Sequence, residues 1–273
     1  MSPYTIFMDI DNTLIGHSQY PSQRVVKTIA KYRAQGHRFF IASGRPLFSA
    51  IKMAARIGPD LDIICANGTV TRINGQVRAQ HLSTNALEGI WRVAKKYQLA
   101  QYFFTLDKIL DLAPLPAAAS DDGKHRVAGV DPANYIDITS LEQLRAKAAK
   151  ITNAIAMDQD LEKVARARVE MNQLSDIDAS SSYYDNIEIT AHGINKATAI
   201  LRVCHELNQP LGRTMAFGDG SNDLQMLKTV HYGVAMGNAN QEVKAATKFH
   251  TLDIDHDGVA VALDKFLGGT AQA

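Results

Sequence analysis

YTIFMDIDNTLIGHS, residues 4–18, runs from an apolar segment straight into two carboxylates and a hydroxyl, Asp9, Asp11 and Thr13. The run from Tyr4 to Met8 shows little polar alternation, the pattern of a short strand covered on both faces, as in a parallel sheet flanked by helices. In an extended backbone, residues i and i+2 project to the same side. Asp9 and Asp11 are therefore expected on one side, with Ile10 on the other. Two close carboxylates repel unless a cation or a shared proton intervenes. The plainer alternative is that an Asp after a strand caps the next helix or turn.

Working outward, residues 22–35 carry Val25, Val26, Ile29 and Tyr32 at helical spacing. HRFFIASGRP, residues 37–46, then repeats the strand logic: the run Phe39 to Ala42 ends in Ser43-Gly44, and Pro46 suits the first turn of another helix. LDIICANG, residues 61–68, is a third such run. Strands alternating with helices predict an α/β fold, a Rossmann-like doubly wound parallel sheet. Ligands of such sheets lie at the carboxyl ends of the strands, where Asp9, Asp11, Ser43 and Asn67 all fall.

VTRINGQVRA, residues 70–79, changes character: it alternates around Asn74-Gly75, a two-residue hairpin signal. From 83 to 187 the chain reads as a mixed α+β insertion. Helices are expected at 84–98, 140–150 and 160–173, and strands at 101–106, 134–138, 152–157 and 183–190. PLPAAASDDGKHR, residues 114–126, reads as a loop, with Asp121 to His125 as a solvated turn. The first pattern resumes with a helix at 195–207, the strand RTMAF and then GDGSND, residues 218–223. Strands near 231–236 and 248–252 and a helix at 258–267 complete it. The expected division is a core of 1–82 and 188–273 and an inserted domain of 83–187.

The 273 residues exceed the usual size of a single core, which agrees with two domains. Lys and Arg number 29 against 28 Asp and Glu, without a long run of either sign, so neither a nucleic-acid groove nor an anionic membrane surface is indicated. A small-molecule partner is expected. Cys65 and Cys204 are the only cysteines and lack C-x-x-C spacing, against a disulfide framework or structural zinc. No basic N-terminal segment precedes an apolar one, and no apolar run reaches 18 residues, so a cytoplasmic, unexported protein is expected.

Asp219 and Asp223 follow another apolar strand and suit completion of an oxygen-rich site for Mg²⁺. Ser43-Gly44 offers a hydroxyl and backbone amides at a helix start, chemistry fitted to phosphate, although the pair also makes an ordinary turn. Lys196 can supply positive charge from a helix start, or be a solvated surface residue.

D-x-D-x-T at 9–13, S-G-R at 43–45, Lys196 and G-D-G-x-N-D at 218–223 together resemble the haloacid dehalogenase-like phosphatases. ANG at 66–68, GINKATAI at 193–200, AMGNAN at 235–240 and DGVA at 257–260 are similar to the Cof-type branch, with its large α/β cap of type IIB. Asn12 stands where many members carry Gly. The resemblance implies that Asp9 is a nucleophile forming an aspartyl-phosphate, and that Asp11 protonates the leaving alcohol and later activates water. It implies Mg²⁺ held by the Asp9 carboxylate, the Asp11 carbonyl and Asp219, with Asp223 orienting that set. Ser43, the Gly44 and Ile10 amides, Asn222 and Lys196 would hold the nonbridging oxygens, and Thr13 would tighten the loop. The implied activity is hydrolysis of small phosphorylated metabolites. Sugar phosphates come first, with pyridoxal phosphate or flavin mononucleotide behind them. A phosphotransferase such as a mutase, and a noncatalytic phosphate-ligand regulator, are the alternatives.

Two competing motifs fail on chemistry. DIDHDGVAVALD, residues 253–264, nearly fits a calcium loop through Asp253, Asp255, Asp257 and Gly258, but Asp264 is too short for the bidentate twelfth position. GDGSND puts Asp223 where a dinucleotide fingerprint needs its third Gly. No G-x-x-x-x-G-K-[ST] occurs. His17, after the first motif, reads as a solvent-exposed loop residue.

Overall fold

A computed structural model of the chain describes residues 3–58, 60–112, 132–181 and 184–268. The chain forms two compact units. Met1–Arg45, Ala50–Arg78 and Asn195–Ala273 make the first, and Pro46–Ser49 and Ala79–Ile194 the second. The stretch 114–126, read as a loop, lies outside the described residues.

The N-terminal part of the chain runs β1 (Thr5–Met8), α1 (Gln23–Ala34), β2 (Arg38–Ala42), α2 (Leu47–Ile57), β3 (Asp62–Cys65), β4 (Val70–Ile73) and β5 (Gln76–Ala79). Helix α1 starts where the Ser22 hydroxyl accepts the Val25 amide, and it buries Val25, Thr28, Ile29 and Tyr32, the spacing read from the sequence. The turn between β4 and β5 places Asn74 and Gly75 at φ 50° and 81°, left-handed at both positions, as a tight two-residue hairpin requires.

The second unit contains α3 (Thr84–Tyr97), β6 (Ala100–Phe104), β7 (Ile109–Leu112), β8 (Tyr135–Ile138), α4 (Leu141–Arg145), β9 (Asn153–Met157), α5 (Leu161–Met171), β10 (Ile177–Ser180) and β11 (Asn186–Ala191). Its six strands lie in the order β10-β11-β9-β6-β7-β8, antiparallel apart from the β7–β8 pair. Phe103, Leu110, Ile187 and Ile189 from the sheet pack with Leu87, Ile90, Val164 and Met171 from α3 and α5.

The chain closes with α6 (Lys196–Glu206), β12 (Thr214–Gly218), α7 (Leu224–Thr229), β13 (Tyr232–Ala235), α8 (Gln241–Ala246), β14 (Phe249–His250) and α9 (Gly258–Leu267). The eight-stranded sheet of the first unit has the order β14-β13-β12-β1-β2-β3-β4-β5. Strand β1 pairs in parallel with β2 on one side and β12 on the other, Met8 lying opposite Ile41 and Phe217. From β1 the chain winds outward through β2 and β3; from β12 it winds the opposite way through β13 and β14. The β1–β12 boundary is thus the switch point of the sheet, where two crossovers depart in opposite directions and leave a crevice beyond the strand ends. Ile6, Phe7, Met8, Phe40, Ile41, Met215, Ala216 and Phe217 are fully buried around it. Each large apolar side chain so placed contributes about 1.5–3 kcal/mol of transfer free energy.

The α/β class, the parallel core sheet and the hairpin agree with the sequence reading. Several elements differ. Strands β7 and β10 were not expected: Asp111 interrupts the apolar run of one, and the other is a short edge strand with a mostly half-exposed pattern. Helices α7 and α8 span six residues each, too short for a helical period to register. The helix expected over 140–150 ends at Arg145 and resumes as a 3-10 turn at Ala148–Lys150, and the strand over 248–252 shrinks to two residues. No helix among the described residues is long and apolar enough to cross a membrane.

Candidate active site

Because β1 and β12 are parallel neighbours, the residues that follow them emerge side by side. The Asp9 amide donates to the Phe217 carbonyl at 3.0 Å, continuing the ladder one step past the strand. Asp219 then begins the matching loop after β12. Strand β1 stops at Met8, and the amides of Thr13, Leu14 and Ile15 all turn back onto the Ile10 carbonyl. A tight turn over Asn12, Thr13 and Leu14 thus follows Asp11, which bridges Ile15. Asn12 sits in it at φ 57°, a left-handed conformation that favours Gly and that Asn tolerates.

The two carboxylates meet different partners. Asp9 is buried, and its Oδ1 accepts from Lys196 Nζ at 2.7 Å. Asp11 keeps 43% of its side chain exposed and takes the Arg45 guanidinium on both oxygens, Nε to Oδ2 at 2.9 Å and Nη2 to Oδ1 at 2.6 Å.

Lys196 opens α6, where Asn195 and Thr198 form a reciprocal capping box that fixes the first turn. Its side chain is fully buried, which removes the reading of a solvated surface lysine. Nζ bridges Asp9 Oδ1 and Asp223 Oδ1, the latter at 2.5 Å. The other Asp223 oxygen accepts the amides of Asp219 and Gly220 at 3.0 and 3.2 Å. Asp223 thus folds the GDGSND loop around itself. Gly218 is required there, since a Cβ would lie 2.6 Å from the Asp223 side chain.

One carboxylate oxygen from each of Asp9, Asp219 and Asp223 lies within 4.8 Å of the others. Three carboxylates face one ammonium. Burial raises the pKa of Asp9 well above the ordinary range, and repulsion by Asp223 adds to it, opposed by Lys196. Burial likewise lifts Asp219 to about 7, helped by Asp223 and opposed by the Thr13 hydroxyl, which donates to Asp219 Oδ1 at 3.1 Å. Burial works against the charge of Lys196, but Asp223 and Asp9 more than reverse it, holding the ammonium above its usual range. The excess negative charge and the all-oxygen donor set fit a hard divalent cation.

Ser43 is buried at the end of β2, its hydroxyl accepting the Arg45 amide at 3.2 Å and its carbonyl the Asn67 amide at 3.1 Å. Gly44 lies between these anchors. Ile10 is fully buried under the turn, and Asn222 is partly exposed beside Asp223. The calcium-like segment has other work: Asp253 caps a 3-10 turn through the His256 amide, and the Asp257 carboxylate meets Ser22 and Arg24.

The sequence reading missed three residues. Arg45 completes the S-G-R motif already singled out, and an Arg within reach of a strand-end carboxylate was the available signal. Asn238 donates to the Asn12 carbonyl at 2.8 Å and accepts the Ile254 amide at 3.0 Å. The Asn240 amide donates to the Asp219 carbonyl at 3.2 Å, and its side chain to Ser221. AMGNAN therefore straps the loops of Asp9 and Asp219 together, a job visible only once both loops are in place.

A family model described as haloacid dehalogenase-like hydrolase matches residues 6–263. YkrA of Bacillus subtilis, which carries a phosphatase name, is 31% identical over 264 residues, 96% of this chain and 97% of its own length. The 5-amino-6-(5-phospho-D-ribitylamino)uracil phosphatase YcsE of Bacillus subtilis is 28% identical over 94% of this chain and 93% of its own. Among solved structures, the HAD subclass IIB sugar phosphatase BT4131 matches with a TM-score of 0.80 at 22% identity, covering 97% of this chain and 99% of that one, a likeness of fold.

Proposed function

The chain belongs to the haloacid dehalogenase-like hydrolases and is a phosphatase of that family, and we propose that it hydrolyses small phosphorylated metabolites, sugar phosphates foremost, through a phosphoryl group carried on Asp9. The observation that carries this reading is the division of labour between two neighbouring carboxylates. Asp9 is buried against Lys196 within a cation-fitting cluster, whereas Asp11 stands outside that cluster, solvent-accessible, as a proton-transfer group needs to be.

In this mechanism Asp9 attacks phosphorus in line, and the ester oxygen leaves with a proton from Asp11. Water then attacks the aspartyl-phosphate and returns a proton to Asp11, releasing phosphate and restoring the Asp9 carboxylate. Lys196, held by Asp223, presents fixed positive charge beside the nucleophile. With Ser43, Asn222 and the amides of Ile10 and Gly44 it would hold the nonbridging oxygens, where charge lies during transfer. Asp9 and Asp219, with the Asp11 carbonyl, would hold Mg²⁺, while Asp223, engaged by Lys196 and two amides, orients the loop. When bound, the ion neutralises charge that would otherwise repel the phosphate.

The substrate class follows the relatives, one acting on a phosphoribitylamino compound and one on sugar phosphates. In this reading the second unit supplies selectivity for the leaving group. Phosphate release from a panel of sugar phosphates and phosphorylated cofactors, with Mg²⁺ and with chelator, tests the proposal. Release that needs the metal supports it; a folded protein silent across the panel overturns it.

A further inference from the structure

We propose that Arg45 is a positioning residue for proton transfer, orienting the Asp11 carboxylate toward the leaving-group oxygen. This rests on the reading of Asp11 as the proton donor. The geometry is specific. A planar guanidinium grips both oxygens of Asp11 through two separate nitrogens, which fixes the plane of the carboxylate as a single contact could not.

The backbone of Arg45 is itself anchored. Its amide donates to the Ser43 hydroxyl, and its carbonyl accepts from Ala66 at 2.9 Å, a residue held at φ 50° in the turn after β3. The guanidinium is thereby referenced to the same loop that carries Ser43 and Gly44, and it reaches across 34 positions of sequence to a carboxylate that would otherwise rotate. The pair is open to water, with side-chain exposures of 25% and 43%, so it adds little to stability. Its contribution lies in orientation. Asp11 lies beyond the end of β1, outside the cluster of Asp9, Asp219 and Asp223, and takes Arg45 on both oxygens.

In the first step the Asp9 Oδ–P bond forms, the ester P–O bond breaks, and a proton carried on an Asp11 oxygen lone pair that the Arg45 fork leaves open passes to the departing oxygen. An alkoxide cannot leave without that proton; p-nitrophenolate can. Misorienting Asp11 therefore slows alkyl esters and largely spares the aryl ester, a split that a lost fold or a lost phosphate contact does not produce.

The test compares kcat/KM, which reports through the first irreversible step, for the best alkyl monophosphate of the panel and for p-nitrophenyl phosphate. Wild type, Arg45→Ala, Arg45→Lys and Asp11→Asn are measured, with thermal midpoints alongside. The expected result is an alkyl-ester loss of about 100-fold in Arg45→Ala with less than about tenfold loss on the aryl ester, paralleling Asp11→Asn. Arg45→Lys keeps the charge without the fork and should show the same split. Equal losses on both esters with raised KM make Arg45 a phosphate-binding group and overturn the proposal, as does unchanged activity. Recovery of the alkyl ester by Arg45→Lys also overturns it. If Asp11→Asn shows no split while wild type turns over both esters, the role of Asp11 fails and this proposal with it; a wild type inactive on both overturns the proposed function itself.

Discussion

Lys196 Nζ lies 2.7 Å from Asp9 Oδ1 across 187 positions of sequence, and both groups are buried. A buried ammonium between two carboxylates ties the switch point of the sheet to the start of α6. Removing it leaves Asp9 and Asp223 facing each other without compensation. Lys196→Met should abolish turnover and lower unfolding free energy by about 3–5 kcal/mol in a urea titration. Adding Asp9→Asn to that variant should recover part of the loss, because one of the repelling charges is gone. A Lys196→Met protein as stable as wild type would contradict the burial argument.

Asp9→Asn tests the nucleophile. The amide preserves shape but cannot form the acyl-phosphate, so turnover should fall by at least about a thousandfold. The fold should persist, since the substitution relieves repulsion within a crowded carboxylate set. Near-normal phosphate release from this variant would exclude the assigned role.

The raised pKa of Asp219 has a stability consequence. Native Asp219 binds its proton up to about pH 7, while an unfolded aspartate loses it near its ordinary value of 3.8. Its contribution to stability is therefore lost progressively as pH rises from about 4 to about 7 and stays constant above. In chelator, wild type should lose stability relative to Asp219→Asn across that window. Added Mg²⁺ should raise the wild-type midpoint at pH 8 by mass action and leave Asp219→Asn nearly unmoved. A metal-independent midpoint at pH 8 would count against the cation site.

Gly68, in the turn after β3, has φ 98°, and a Cβ there would lie 2.3 Å from the Asn195 carbonyl oxygen. Asn195 caps the helix that Lys196 begins. Gly68→Ala should therefore destabilise the protein by about 1–3 kcal/mol and reduce kcat by shifting the base of Lys196, although no substrate contact is touched. Measuring both quantities separates this from a surface turn, for which neither would change.

Much of this architecture was legible in short windows. The apolar runs at β1, β2 and β3, the helical spacing over 22–35 and the Asn74-Gly75 turn each express a local rule of backbone or patterning. The departure at Asn12 was also visible, and its left-handed φ supplies the reason that Gly commonly stands there. Short elements were not legible: α7, α8 and β10 carry too few residues to establish a period, and tertiary packing stabilises them.

The sequence by itself determined which chemistry was available, namely carboxylates, a hydroxyl and a lysine at strand and helix ends, because those placements follow from spacing along the chain. Only the tertiary structure decided who meets whom. The parallel pairing of β1 with β12 sets Asp9 beside the Asp219 loop, the burial of α6 turns Lys196 from a surface cation into a bridge, and Arg45, from the loop after β2, takes the Asp11 carboxylate. Charge, burial and orientation at the site arise from contacts distant in sequence, and a local window carries no record of them.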